Sequence, residues 1–374
     1  MGRSRTRNRR KERLAAFSGA LFVAFGAVAG WLGAGPAERT PTSATQNSEI
    51  EFTSFSPPRV LTASYSYKDG SLNLGAPRVV AKLPGADGIA FTTSGGIVVG
   101  GQGTGDVFLI PSAGAPVQSI PAGGPSAFMV TIGPTGRTLY TAGLPGSLEE
   151  LPMSPLAHGH TVKLNGPDDT ITGLAFAPNG QVLYTSSGPA GTGDIGLLDL
   201  SNGTTHRLFH NVEGAHGVLY DTFSQSYLVT GGDVVLQLQG SEPTKIESEL
   251  TIPGMVLDQG AVTSKGQAFI ASNTGSLVMI DYSRTGRIGD IHDTVQVRYL
   301  VSALDDVAPL SGPGARPVAT AAPTWKKAAE GSFGLAAVSF GALGLLWITR
   351  YAKHRRKQLP RWDRRRIEEL RGGA

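Results

Sequence analysis

The chain has 374 residues, 40% of them hydrophobic and 17% charged, with 51 Gly, 24 Pro and no Cys. Such a mix suits turn-rich β structure around a real core rather than disorder, and it excludes disulfide frameworks, thiolate metal sites and cysteine nucleophiles. The formal charge of +4 sits at the ends, leaving 16 Lys/Arg against 25 Asp/Glu between residues 14 and 349, so the middle lacks the clustered cations that a nucleic-acid backbone requires.

Residues 1–13, MGRSRTRNRRKER, form a basic segment with seven Lys/Arg. An uncharged stretch comes next, LAAFSGALFVAFGAVAGWLGAG (Leu14–Gly35), long enough to cross about 30 Å of hydrocarbon as a helix. It reads as a transmembrane signal anchor, or as a cleaved signal with the small residues at Ala34–Ala37 as its exit; both versions export the middle of the chain. Residues 36–57 read as a linker.

From Pro58 the chain repeats itself. Gly followed by Asp or Ser and then by aliphatic alternation occurs at GSLNL (Gly70), GDVFLI (Gly105), GSLEEL (Gly146), GDIGLL (Gly193), GDVVLQL (Gly232) and GSLVMI (Gly275), at spacings of 35, 41, 47, 39 and 43 residues. Most copies are preceded by a short run such as GIVVGG, QVLYTSS or QAFIASN, and earlier still by a first run: DGIAF, SAFMV, TGLAF, HGVLY or QGAVT. A fourth stretch such as THRLFHNVEG closes the unit. Four short strands joined by Gly, Pro and Asn turns at this period define a β-propeller blade, because one such sheet buries its two faces only against neighbours. A hairpin-rich β-sandwich is the alternative.

First strands begin near Asp87, Ser126, Thr172, His216 and Gln259, and once more at LDDVAPL (Leu304–Leu310). The last has no strands after it, while RVLTASYS, GSLNL and RVVAKLP near the N-terminal end have no first strand. One C-terminal strand with three N-terminal ones completes a sixth blade, leaves no free sheet edge and puts both linkers on one blade. The expected fold is therefore an all-β, six-bladed propeller over residues 58–311, closed one-plus-three and flanked by transmembrane helices. Residues 312–330 form a Pro/Ala-rich linker, residues 331–349 (GSFGLAAVSFGALGLLWIT) a second apolar segment, and residues 350–374 a tail with ten Lys/Arg. Positive flanks mark the cytoplasmic side, so both termini are expected inside, the propeller outside, and the tail against anionic lipid.

GLAFAPNG and GSLVMIDYS resemble six-bladed propellers of the gluconolactonase and senescence-marker type and, more loosely, NHL-like repeats, over roughly Pro58–Ser311. The resemblance implies a divalent cation at the channel mouth, held by a Glu near a first strand with Asn and Asp. No first strand of this chain begins with Glu, a departure from that pattern.

First strands line a propeller's channel, so their starts converge on one mouth. The candidate ligand-binding residues are Asp87, Thr172, His216, Asp258, Asp305 and Asp306, with Ser126 and Gln259 alongside. Asp87, Asp305 and Asp306 are the candidate metal ligands, suited to a hard cation such as Ca²⁺. Asp also caps turns in loops, which is the plainer role for such residues. Like charges gathered in a partly desolvated funnel repel, so without a cation at least one carboxyl pKa is expected to rise. His206 and His210 in HRLFH lie on a fourth strand, about 13 Å apart, too far to share one ion. The expected function is a membrane-anchored binding or scaffold module for a protein, glycan or small ligand; the alternative is a metal-dependent hydrolase of lactonase type.

Overall fold

The computed structural model describes residues 46–317, apart from 69, 167–168 and 189–190. The expected transmembrane segments 14–35 and 331–349 and both basic ends lie outside these residues. Among the described residues no helix is long and apolar enough to cross a membrane.

The described chain is all β and forms six four-stranded antiparallel sheets. Blade I runs through Ala86–Phe91, Ile97–Gly101, Asp106–Ile110 and Gln118–Pro121. Blades II to V begin with the inner strands Thr131–Ile132, Thr170–Phe176, Ala215–Asp221 and Leu257–Val262, and each steps outward strand by strand in chain order. This is a six-bladed β-propeller. We call the face where the inner strands begin the upper face, and the face where they end the lower one.

The alternation of apolar residues explains why the blades must be neighbours. In the second strand of blade V, Ala268 and Ile270 point into the core shared with blade IV, while Phe269 and Ala271 point into the core shared with blade VI. Val98 and Val99 divide in the same way between the two cores flanking blade I. Second strands are thus buried on both faces, which is why they read as continuous apolar runs rather than as alternating ones. Six separate clusters fill the six interfaces. The turns before third strands use Gly in the left-handed region, as at Gly105 (φ 70°) and Gly275 (φ 88°), where a side chain would be strained.

Closure of the ring differs from the expectation in one respect. The innermost position of blade VI is indeed taken by the C-terminal segment: Asp305 N–H donates to Thr53 O (3.1 Å), Thr53 N–H to Asp306 O (2.9 Å) and Ala308 N–H to Glu51 O (2.9 Å). Its partner, however, is a strand at Gln46–Ser54, inside the stretch read as a linker over 36–57. Arg59–Lys68 comes next, and Ser71–Leu74 and Arg78–Ala81 share the outer position, both pairing with it. The propeller therefore starts at Gln46 rather than Pro58. The physical reason is that Ile50 and Phe52 are wholly buried against blade V, so this segment is part of the core. At the other end, residues expected in the linker 312–330 pack on the lower face: Phe91 N–H donates to Gly314 O (2.7 Å), and Arg316 pairs with Glu49 and Glu51.

Candidate binding site at the channel mouth

The inner strands carry a local irregularity where the candidate residues sit. Pairing with the second strand slips between Ala86 and Ile89, between Ile171 and Gly173, between Ala215 and Gly217, and between Leu257 and Gly260. The residues spanned are Asp87, Thr172, His216 and Asp258 with Gln259. A bulge bends its strand and re-aims a side chain, and here it does so at the upper rim of each of four blades.

A glycine accompanies each bulge, and packing explains it. A Cβ on Gly88 would stand 2.3 Å from Val130 N, and one on Gly217 would stand 2.4 Å from the Gln259 amide oxygen. Inner strands approach one another too closely there for any side chain. The motif Asp-Gly, Thr-Gly, His-Gly or Gln-Gly at the head of first strands is thus the sequence mark of the channel wall.

Five of the candidates form one electrostatic unit. His216 Nδ1 lies 2.6 Å from Asp258 Oδ1, with the Asp258 side chain 2% exposed. Burial works against a charge on His216, but the Asp258 carboxylate outweighs it, with Asp306 assisting, and the imidazole is pushed up to about 9. Asp258 is held below the ordinary carboxylate range, since His216 and the Gln259 N–H (2.9 Å) outweigh its own burial.

Asp87, Asp305 and Asp306 go the other way, each well above that range. Burial is the largest cause for all three; Asp87 is raised further by Asp306 and Asp258, Asp305 by Asp87 and Asp258, and Asp306 by Asp258. The expected rise in carboxyl pKa is therefore present at three acids. Asp305 Oδ2 is also buried with no hydrogen-bond partner among the described residues.

The remaining candidates serve the backbone. The Thr172 hydroxyl donates to His216 O (2.8 Å), fixing the bulge that carries the imidazole. The Gln259 side chain accepts from Val218 N–H (2.9 Å) and donates to Val218 O (3.2 Å), stapling blade V to blade IV. Ser126 accepts from Gly103 N–H (2.8 Å). Of the two histidines in HRLFH, His210 is bound to Asp194 (2.6 Å), which Arg207 also contacts (2.6 Å). Among the described residues, no three His, Asp or Glu side chains stand in an arrangement that could hold a metal ion.

Sequence reasoning missed Thr53, which positions the acids. Its backbone accepts from Asp305 N–H and donates to Asp306 O, and its hydroxyl accepts from Asp306 N–H (3.0 Å). The alternation in EIEFTS is the available signal, obscured by Pro57-Pro58 two residues after it.

No family model matches the sequence, and no curated protein matches it. Solved structures do. A chain in the crystal structure of a nidogen–laminin complex is similar over 71% of this chain and 98% of its own length, with a TM-score of 0.55 at 12% identity. At that identity the likeness shows the propeller fold alone. With 1439 matching chains, the fold selects no function, and function has to be argued from the site.

Proposed function

We propose that the protein is a membrane-tethered, extracytoplasmic binding module that presents its upper face to a protein partner bearing a basic group. The observation that carries this reading is the position of the two described ends. The strand Gln46–Ser54 runs antiparallel to the closing segment, so it starts on the lower face. Arg316, near the other end, pairs with Glu49 and Glu51 on that same strand. Two anchors attached there leave the lower face toward the membrane and the acidic mouth away from it.

The mouth suits a cation because burial and mutual repulsion push three of its acids well above the ordinary carboxylate range, and an arriving ammonium or guanidinium favours their ionised forms. Around it the upper face exposes large apolar side chains, Phe55 (47%), Leu144 (39%), Val256 (49%) and Tyr299 (69%). Apolar anchors beside a charged pocket are the usual energetic core of a protein interface.

The absence of cysteine gives a clean topology test. Single variants Ser4→Cys, Ser112→Cys and Gly373→Cys are treated in intact cells with a membrane-impermeant maleimide. Ser112→Cys is expected to label directly, and the two terminal variants only after permeabilisation. Labelling of Gly373→Cys from outside overturns the orientation. A photo-crosslinking residue at Val256 should then yield an adduct that His216→Gln weakens; an adduct unaffected by that change removes the mouth from the interface.

A further inference from the structure

Below the acids the channel becomes a different chemical space. A cavity of about 200 Å³ is walled by Ile89, Ile132, Leu174, Phe176, Val218 and Val262, one or more from each of five inner strands, and it reaches Pro134, Pro178 and Pro313 at the lower face. Most polar side chains in its lining are already spent. Thr131 donates to Leu174 O, Ser311 donates to Val262 O, and both ends of the Gln259 amide are held by Val218. Asp306 is the only charged residue in the lining among the described residues, and it is 95% buried (5% exposed).

We propose that this cavity is a binding site for a small primary aralkylamine, with its apolar body against the channel wall and its ammonium on Asp306. Size allows it: an apolar cavity of about 150 Å³ accommodates benzene, so this one takes a ring with a short chain. Chemistry selects the amine over a neutral analogue. On its cavity side the buried Asp306 carboxyl meets only uncharged lining, and a matched ammonium there stabilises its ionised form. Burial and Asp258 push Asp306 well above the ordinary carboxylate range, outweighing the opposite pull of His216 and the Gln259 N–H. The site shares Asp306 with the mouth described above, but its apolar body lies in the lower channel, and a small amine reads it without a protein partner.

The test uses the full chain in lipid nanodiscs, with empty nanodiscs as the control for partition into lipid, and titration calorimetry. 2-Phenylethylamine is expected to bind once per chain. 2-Phenylethanol, of similar shape without the charge, and the Asp306→Asn variant with the amine should each lose on the order of tenfold in affinity. Val218→Phe fills the cavity and should abolish binding; its melting curve checks that it folds, and the alcohol and Asp306→Asn arms decide the matter if it does not. Phe55→Ser and Leu144→Ser change only the upper face and should leave amine binding intact, whatever they do to a partner. No saturable binding at millimolar amine, or equal affinity for amine and alcohol, overturns the proposal.

Discussion

His216→Gln separates the charge of the mouth from its shape. The imidazole keeps its proton to about pH 9 instead of 6.5, which corresponds to about 3 kcal/mol of differential stabilisation. The side chain is 37% exposed, so solvent screening reduces that to about 1–2 kcal/mol. The sign comes from the raised pKa: the folded state binds the proton more tightly than the unfolded chain does. The stabilisation is therefore complete below about pH 6.5 and lost as pH rises through about 9. Thermal melts of the full chain, in fixed detergent and salt, should show the variant lower by about 2–8 °C at pH 6. At pH 10 the wild-type imidazole is neutral too, and the two curves should converge to whatever packing difference separates His from Gln. A gap of equal size at pH 6 and pH 10 would refute the ion pair as the source.

Asp87→Asn should stabilise the protein, because its raised pKa makes the folded state hold a proton that the unfolded chain releases above about pH 4. The gain in melting temperature should widen as pH climbs above that point; a loss at every pH would mean the carboxyl is ionised and paired. Gly88→Ala places a methyl 2.3 Å from Val130 N and 2.6 Å from Met129 C, backbone atoms that cannot swing aside. A loss of about 1–3 kcal/mol is expected, read by chemical denaturation, and an unchanged midpoint would show that the blades yield. Calcium tests how the acids are relieved. Burial and mutual repulsion raise Asp87, Asp305 and Asp306 well above the ordinary carboxylate range, so protons compete with a cation for them and millimolar calcium should hardly move the melting temperature. A clear rise that disappears in Asp87→Ala with Asp306→Ala would put an ion in their place.

The blade count was legible in the sequence because each blade repeats the same physical requirement. A second strand has to be apolar on both faces, and a third has to be preceded by a turn with a residue tolerating the left-handed region, so GDVFLI and GSLVMI recur in phase. The strand Gln46–Ser54 was not legible for the opposite reason: it belongs to a blade assembled from both ends of the propeller and has no local hairpin copy to match. Its alternation is visible only once Phe52 is known to meet Val307, 255 residues later. Loop closure over such a distance leaves no mark in a local window.

The site divides along the same line. That Asp87, His216, Asp258, Asp305 and Asp306 share a rim is dictated by their place at the heads of first strands. Which of them would be charged is not. Asp258 and Asp306 are chemically identical residues on neighbouring inner strands, yet one is held below the ordinary carboxylate range by an imidazole 2.6 Å away and the other is pushed well above it by burial and by that same neighbour. Thr172 shows the reverse case, a residue at the right rim whose hydroxyl is consumed by the His216 carbonyl. Strand position decides where a side chain can arrive, and the hydrogen bonds made by the bulge decide whether it has anything left to offer a ligand. At this mouth the acids from the closing segment matter most in that respect. Thr53 bonds Asp305 and Asp306 directly, so the ring's closure and the mouth's chemistry rest on the same few bonds.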